Sequence, residues 1–201
     1  MINTIFFDLG NVLVNVDKSL AFKKIAEITG LDIRTVIEVA NSSLEKDFEK
    51  GKYSIDEYIN LLREKYRMPK TVTLEKLVKI WEVSFNLNKP VLNLLTKLKG
   101  KAKIFLLSNT DAIHIRAIEG KYDILRNFDG AVLSFEVGYC KPEPEIYHKA
   151  LKQSNTSPEN SLLIDDLEEN VLGAEKVGIK GFKFTECDKL KTFLRSEGFQ
   201  I

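Results

Sequence analysis

Short runs of consecutive apolar residues, each ending at or near a polar or acidic residue, constrain the fold of this chain most strongly. Because these runs lack the alternation of apolar and polar residues that marks a half-exposed strand, they are typical of parallel strands buried on both faces. The four clear runs, followed by a weaker fifth, are Thr4 to Phe7, Lys103 to Leu107, Ala131 to Ser134, Leu162 to Ile164 and Gly181 to Phe184.

Amphipathic helical patterns lie between the apolar runs. They cover Pro90 to Leu98, Pro144 to Lys152 and Asn170 to Val177, and Gly178 is suited to ending the last of these helices. Strands that alternate with helices favour a parallel sheet with helices on both sides. We therefore predict an α/β fold with a doubly wound parallel sheet.

The segment from residue 17 to residue 88 departs from this alternation. It shows one helical pattern after another and no convincing strand, with Asp32 as a predicted N-cap and Ser54 to Glu57 as a predicted capping box. An insert after the first strand would lie over the carboxyl edge of the sheet, where ligands bind. We predict a catalytic core of residues 1–16 and 89–201 with an inserted all-helical cap of residues 17–88.

Composition excludes several classes of protein. The 201 residues are 44% hydrophobic, and 30 basic against 29 acidic side chains give a net charge of +1, so no global field points to nucleic acid or membrane. Cys140 and Cys187 form neither a disulfide framework nor a zinc pattern. There is no signal pattern and no apolar run long enough to span a bilayer. We expect a cytoplasmic protein, monomeric or homodimeric, that binds neither nucleic acid nor membranes.

Polar residues gather where the apolar runs end. Asp8 follows the first run, Ser108 the second, the pair Asp165 and Asp166 ends or follows the fourth, and Lys141 lies in a loop just before a helix. Adjacent carboxylates repel unless a cation holds them, and oxygen ligands without nearby His or Cys favour Mg²⁺. An ammonium and a hydroxyl suit a phosphate. The pattern thus predicts a site for Mg²⁺ and a phosphate ester.

Four motifs carry a resemblance. In order and spacing, "FFDLGNVL", "LLSNT", "KPEPEIY" and "LLIDDLEEN" resemble the four motifs of the haloacid dehalogenase superfamily, and the helical insert resembles its small helical cap. The resemblance implies a Rossmann-like core. The variant "DLGNV", with Phe48, Glu49 and Gly51 in the cap, resembles the branch typified by bacterial glucose-1-phosphate phosphatase.

The resemblance also implies a mechanism. Asp8 would be the nucleophile of a Mg²⁺-dependent phosphomonoester hydrolase, and would form an aspartyl-phosphate that water hydrolyses. Ser108 would bind the transferring phosphoryl group, and Lys141 would neutralise it and orient Asp8. The implied metal ligands are Asp8, the carbonyl of Gly10, Asp166 and Asp165, and the further phosphate-binding groups are Asn109 and the amides of Leu9 and Gly10.

One position departs from the superfamily pattern. Most of its phosphatases carry a second aspartate two residues after the nucleophile as the general acid–base, whereas this chain has Gly10, which we expect to allow a tight turn. General acid–base catalysis is typically worth roughly 100- to 10,000-fold. A sugar phosphate with an acidic leaving group, such as a hexose 1-phosphate, depends least on it. Asp17 and Glu49 are the first alternatives as acid.

Other features favour structural roles, and two other functions stay open. His114 and His148 are expected on the surfaces of amphipathic helices, and Trp81 and Phe48 in the core of the cap. A metal-free 2-haloacid dehalogenase could use Asp8 to displace halide, although it would gain nothing from two adjacent carboxylates. A catalytically weak phospholigand-binding protein is the third hypothesis, and it rests on the glycine alone.

Overall fold

A computed structural model describes all 201 residues, and its seven strands form two sheets. The strands are β1 Thr4–Phe7, β2 Val14–Val16, β3 Phe85–Leu87, β4 Lys103–Ser108, β5 Gly130–Leu133, β6 Ser161–Asp165 and β7 Lys180–Lys183. Five of them form one parallel sheet in the order β5-β4-β1-β6-β7. All five apolar runs are strands of this sheet, with β1 at its centre.

Eleven helices surround the sheet or form the inserted segment. They are α1 Lys18–Thr29, α2 Ile33–Ala40, α3 Ser43–Glu49, α4 Ile55–Tyr66, α5 Leu74–Ser84, α6 Lys89–Leu98, α7 Ala112–Tyr122, α8 Ser134–Val137, α9 Pro144–Ser154, α10 Glu168–Lys176 and α11 Cys187–Ser196. Two 3₁₀ turns span Leu125–Asn127 and Pro158–Asn160. None of the helices combines the length and the apolar character needed to cross a membrane.

Side chains that alternate along β1 enter two separate hydrophobic clusters. Phe6 lies in the smaller cluster with Phe105 of β4 and Tyr147 of α9. Ile5 and Phe7 point the other way, into a larger cluster that also contains residues of α6, α7, α11 and the inserted helices. Since helices cover both faces of a parallel sheet, the predicted doubly wound α/β fold is confirmed.

The segment between the first two strands of the main sheet is almost entirely helical. Each of its five helices begins at a residue whose side-chain oxygen accepts a backbone N–H, and these residues are Asp17, Asp32, Ser42, Ser54 and Thr73. The predicted N-cap at Asp32 and the predicted capping box of Ser54 and Glu57 are both present. These local signals define where the helices start.

One prediction for this segment was wrong, because it contains a strand. β3 pairs antiparallel with β2, so that Val16 lies opposite Phe85 and Val14 opposite Leu87. Three-residue strands are too short to show a periodicity, and the sequence pattern therefore missed both. The pair brings the two ends of the helical segment side by side, which supports our proposal that residues 17–88 form a separate cap.

The helical segment also contacts the core at a second place. Gly51 has φ +67°, and a Cβ built on it would lie 1.9 Å from the carbonyl oxygen of Phe135. Beside it, Nζ of Lys50 lies 2.6 Å from Oε1 of Glu143. Only glycine allows both this backbone conformation and this close approach. The helical segment therefore lies directly against the backbone of α8 at Phe135.

Candidate active site

Lys141 connects the buried polar groups at the carboxyl edge of the sheet. Its Nζ lies 2.6 Å from Oδ1 of Asp8, 2.6 Å from Oδ2 of Asp165 and 2.8 Å from the carbonyl oxygen of Leu107. These three acceptors match its three N–H donors, and its side chain is only 1% exposed. Burial alone would lower the pKa of Lys141, but the two carboxylates outweigh burial and raise it. The ammonium is therefore fixed and charged.

Asp8 directly follows β1, and Lys141 holds one of its two carboxylate oxygens. Its N–H donates to the carbonyl of Ile164 at 2.9 Å, which extends the strand pairing to this residue. Oδ1 accepts from Lys141, whereas Oδ2 points towards the space beside Gly10. Burial raises the pKa of Asp8 to about 6 against the opposing effect of Lys141. At neutral pH the carboxylate is ionised.

Asp165 is fully buried, and both of its oxygens already have partners. Oδ2 accepts from Lys141, and Oδ1 accepts from the N–H of Leu167 at 2.9 Å and from Nδ2 of Asn170 at 3.0 Å. The carbonyl of Asn170 in turn accepts from the hydroxyl of Tyr147 at 2.7 Å. Asp165 therefore braces Lys141 and the loop after β6.

The donor set around Asp166 fits a magnesium ion. One carboxylate oxygen from each of Asp8, Asp165 and Asp166 lies within 4.8 Å of the others. Asp166 is less buried than Asp165, and Asn11 donates to its Oδ2 at 3.0 Å, which leaves Oδ1 available. The side-chain oxygen of Asn170 is buried without a partner in the wall of the same cavity. An all-oxygen set of this kind suits Mg²⁺.

The groups predicted to bind phosphate line the same cavity as Asp8. The N–H groups of Leu9 and Gly10 donate to no backbone carbonyl, and the buried hydroxyl of Ser108 has only a 3.4 Å contact with the carbonyl of Asn109. Asn109 has another task, because its amide nitrogen donates to the carbonyl of Lys141 at 2.8 Å and its oxygen accepts the Lys141 N–H at 2.7 Å. It positions Lys141 and keeps one amide N–H free.

The prediction that Gly10 supplies the tight turn was wrong. Gly10 does not have a positive φ, and the left-handed residue of this turn is Asn11, with φ 55°. A Cβ added at Gly10 would meet nothing closer than Oδ2 of Asp8 at 4.0 Å. Neither the backbone nor the packing therefore requires glycine at this position.

A cavity of about 330 Å³, which we call the catalytic cavity, lies between the inserted helical segment and the sheet edge. Besides the residues already described, its wall contains Lys18, Glu49, Trp81 and His114. Trp81 and His114 also line a second, narrower cavity of about 80 Å³, where 14 of the 18 lining residues are hydrophobic. This second cavity runs into the cap, so Trp81 serves both the cap interior and the catalytic cavity.

The prediction for His114 was wrong, because its side chain lies largely buried between α7 and the cap. Its Nδ1 is hydrogen-bonded to Asp111, and its ring meets the ring of Trp81 edge-on at a centroid distance of 4.1 Å. Burial lowers the pKa of His114, but Asp111 outweighs it and raises the pKa. The spacing of three residues at the start of a helix was the signal that could have paired Asp111 with His114.

Further ionisable groups from α3 and α4 lie near His114. Tyr58 donates a short hydrogen bond to Oε2 of Glu45, and burial raises the pKa of Glu45 to about 7. We call Glu45, Tyr58, Asp111 and His114 the cap–core polar cluster. Asp17, one of the acids suggested by the sequence, is not in this cluster or in the catalytic cavity, because its carboxylate caps α1.

Comparison with known proteins identifies the family. The haloacid dehalogenase-like hydrolases match residues 2–178, and the chain therefore belongs to this family of hydrolases. The resemblance carried by the four motifs is confirmed. The narrower likeness to the glucose-1-phosphate phosphatase branch stays a prediction.

Several relatives share nearly the whole chain. A D-ribitol-5-phosphate phosphatase of Bacteroides thetaiotaomicron is 28% identical over 91% of this chain and 92% of its own. A sesquiterpene phosphatase of Aspergillus oryzae is 28% identical over 90% and 88%. A family enzyme from B. thetaiotaomicron, solved with magnesium and inorganic phosphate, superposes with a TM-score of 0.80 at 28% identity, covering 92% of this chain and 95% of that one.

Proposed function

We propose that this protein is a Mg²⁺-dependent phosphomonoester hydrolase that acts through an aspartyl-phosphate on Asp8. The observation that carries the proposal is the bridge from Lys141 to Asp8 and Asp165, beside the available oxygen of Asp166. A buried lysine that holds one oxygen of a carboxylate leaves the other oriented as a nucleophile. Relatives named as phosphatases over nearly the full chain support the same reaction class.

The proposed reaction has two steps. Oδ2 of Asp8 attacks phosphorus as the bond from phosphorus to the leaving oxygen breaks, and water then attacks the aspartyl-phosphate to release inorganic phosphate and regenerate the carboxylate. Lys141 holds Oδ1 of Asp8 throughout. The Ser108 hydroxyl and the N–H groups of Leu9 and Gly10 bind the phosphoryl oxygens, where preorganised donors stabilise developing charge.

Asp8, Asp166 and the carbonyl of Gly10 would hold the metal ion. When bound, Mg²⁺ neutralises phosphoryl charge, which lets an anionic carboxylate approach an anionic ester. Asp165 was expected among the ligands, but its hydrogen bonds suit it to bracing Lys141. The magnesium and phosphate in the solved relative support this proposal.

We propose a small phosphorylated metabolite as substrate, and a sugar phosphate such as a hexose 1-phosphate as the first class to test. The catalytic cavity has 19 lining residues, of which only seven are hydrophobic, and this lining suits a hydroxylated leaving group. The named substrate of the ribitol-phosphate relative is also a polyhydroxylated phosphate ester, with a primary alcohol as its leaving group.

The apolar cavity favours a second substrate class. It adjoins the catalytic cavity at Trp81 and His114, so a hydrocarbon chain attached to phosphate could extend into it. The sesquiterpene phosphatase relative supports this class. Initial rates on hexose 1-phosphates, pentitol 5-phosphates and prenyl monophosphates at equal concentration will rank the two.

Metal dependence is the first test. We expect hydrolysis of p-nitrophenyl phosphate with Mg²⁺, at least a roughly 100-fold lower rate in EDTA, and a similar loss in Asp166→Asn, because charge neutralisation by the metal is worth several kcal/mol. Asp188→Asn is the control, since Asp188 is exposed on α11. Full activity in EDTA would contradict the proposal, and halide release from a 2-haloacid in EDTA would support the dehalogenase alternative.

The nucleophile gives the second test. Asp8→Asn should yield a folded protein with no detectable turnover, because an amide cannot accept the phosphoryl group. Beryllium fluoride, which mimics a phosphoryl group on a carboxylate, should bind to wild type in the presence of Mg²⁺ but not to Asp8→Asn. Calorimetry measures this binding. Turnover in Asp8→Asn close to that of wild type would show that another residue attacks. Phosphate binding by wild type without turnover would favour the phospholigand-binding alternative.

A further inference from the structure

Six ionisable side chains line the catalytic cavity, and three of them have a task already. They are Asp8, Lys18, Glu49, His114, Lys141 and Asp166. Asp8 and Asp166 belong to the nucleophile and metal site, and Lys141 has all three donors occupied. Lys18 is exposed at the start of α1. Only Glu49 and His114 remain as acids for the leaving oxygen.

His114 is held in a fixed orientation on three sides. Asp111, which is 1% exposed, accepts from Nδ1 of His114 and from the backbone N–H groups of Ile113 at 2.7 Å and His114 at 2.9 Å. The rings of Trp81 and Phe85 meet the imidazole edge-on, at centroid distances of 4.1 and 5.9 Å. With Nδ1 bound to a carboxylate, Nε2 is the atom that exchanges a proton.

Glu49 is not oriented in this way. Its carboxyl group also lines the cavity, but neither a hydrogen bond nor an ion pair fixes it. A general acid must be placed within hydrogen-bond reach of the atom it protonates, and a fixed side chain satisfies that requirement better than a free one. The fixed orientation of His114 therefore favours it over Glu49 as the general acid.

We propose that His114, oriented by Asp111, is the general acid–base residue of this enzyme and replaces the carboxylate that Gly10 lacks. The inference rests on the proposed phosphatase function. While the bond from Asp8 to phosphorus forms and the bond to the leaving oxygen breaks, the proton on Nε2 moves to that oxygen and the alcohol departs. His114 is then neutral and ready to act as a base.

The second step returns His114 to its starting state. Nε2 takes a proton from the water whose oxygen attacks phosphorus, the bond between Asp8 and phosphorus breaks, and its electron pair returns to the carboxylate. Inorganic phosphate leaves, and the imidazole is again protonated. Atoms and charges balance over the cycle, and no further reactant is needed.

The surroundings of His114 favour its protonated form. Asp111 faces it from α7, Glu45 and Glu49 face it from α3, and the nearby rings from α5 and β3 are neutral. Burial opposes the charge, but the interaction with Asp111 outweighs it, so the pKa of His114 is raised. A proton donor is thus available near neutral pH, and its contribution falls as pH rises through this pKa.

Leaving-group dependence tests the proposal. In His114→Gln, we expect kcat for a primary alkyl phosphate to fall roughly 100-fold or more, with a fall of less than about 3-fold for p-nitrophenyl phosphate, whose leaving group needs no proton. His148→Gln is the matched control, because His148 is exposed on α9 and should leave both rates unchanged. Retained activity on the aryl ester also shows that the variant is folded.

A rescue variant separates catalysis from structure. Because a Cβ at position 10 meets no atom closer than 4.0 Å, Gly10→Asp in the His114→Gln background should restore alkyl phosphate hydrolysis by roughly 10-fold or more. Asp111→Asn should move the alkaline limb of the wild-type pH profile to lower pH, since Nδ1 loses its carboxylate. A structural role for His114 predicts neither the rescue nor the shifted limb.

Three results would overturn the inference. They are equal losses on alkyl and aryl esters in His114→Gln, no loss on either, or a selective loss in Glu49→Gln with none in His114→Gln. Failure of the proposed function is distinguishable, because wild type would then release no p-nitrophenol with Mg²⁺ at all. If wild type does so and the selective loss is absent, only the role of His114 is wrong.

Discussion

Two groups of buried charges lie near the catalytic cavity, and they are balanced in different ways. In the first, which we call the lower group, Lys141 holds Asp8 and Asp165 at the sheet edge through hydrogen bonds of 2.6 Å. The second, which we call the upper group, is the cap–core polar cluster, which reaches the cavity through His114, has no lysine among its members and balances its carboxylates with one imidazole and one tyrosine hydroxyl. In the lower group the ammonium of Lys141 stays charged. In the upper group the balance of charge depends on whether Glu45 and His114 are protonated.

Because of this difference, the two groups gain and lose protons over different pH ranges. The pKa of Asp8 is raised to about 6, so its carboxylate is mostly ionised above that pH. The pKa of Glu45 is raised by burial to about 7, and that of His114 is also raised. Near neutral pH, proton uptake and release are therefore concentrated in the cap–core polar cluster, while the nucleophile stays ionised.

The largest expected effect comes from removing the permanent cation. Lys141→Met leaves two buried carboxylates without their partner, and we expect a loss of about 3–5 kcal/mol in the free energy of unfolding. Activity should fall at least roughly 1,000-fold, because Asp8 loses the cation that holds its Oδ1 and favours its ionised form. Urea unfolding measures the first effect and steady-state kinetics the second. The control is Lys149→Met, on the exposed side of α9, which should change neither stability nor activity. If Lys141→Met is as stable as wild type, Lys141 does not stabilise the two buried carboxylates.

A smaller effect is expected from disturbing the contact between the helical segment and the core at Gly51. Gly51→Ala puts a methyl group into the carbonyl of Phe135, whereas Gly100→Ala has the same left-handed backbone cost and open space around it. The backbone cost is about 1–2 kcal/mol in both, and overpacking adds about 1–3 kcal/mol at Gly51 alone. Thermal unfolding and KM should separate the variants. Equal stability losses would show that the contact between cap and core contributes nothing.

The smallest expected effect is the contribution of Glu45 to the pH dependence of stability. Below pH 7 the folded protein keeps Glu45 protonated, while the unfolded chain ionises it at its ordinary, lower pKa. Wild-type stability should therefore fall as pH rises from 5 to 8, and Glu45→Gln should avoid about 1–2 kcal/mol of that loss, a value reduced for partial exposure. Thermal melts at both pH values test this, with exposed Glu64→Gln as control. A parallel pH dependence of wild type and Glu45→Gln would exclude Glu45 as a titrating group.

The sequence predicted the lower group far better than the upper one, for a geometric reason. Carboxyl ends of parallel strands meet at one edge, so Asp8, Ser108 and Asp165 could be placed together once the strands were recognised. Lys141 lies in a loop, and its place followed from the resemblance to the family. None of these placements needed knowledge of how helices pack.

The upper group depends on helix packing that no local pattern shows. His114 lies in α7, and whether its side of that helix is covered depends on how α5 and α3 of the helical segment pack against it. The same limit applies to Asn11, whose left-handed conformation replaced the turn expected at Gly10. The glycine at position 10 suggested a special backbone conformation, but Gly10 has an ordinary φ and differs from other residues there only in lacking a side chain.

The pairing of β2 with β3 has a consequence for how such enzymes diversify. Because Val16 lies opposite Phe85, the segment between them begins and ends at neighbouring points, about 5 Å apart as in any antiparallel pair. A segment of different length or sequence can join at the same two points without changing the register of the five-stranded sheet. The residues at the sheet edge that carry the chemistry can therefore stay the same while the inserted segment, and with it the choice of substrate, changes.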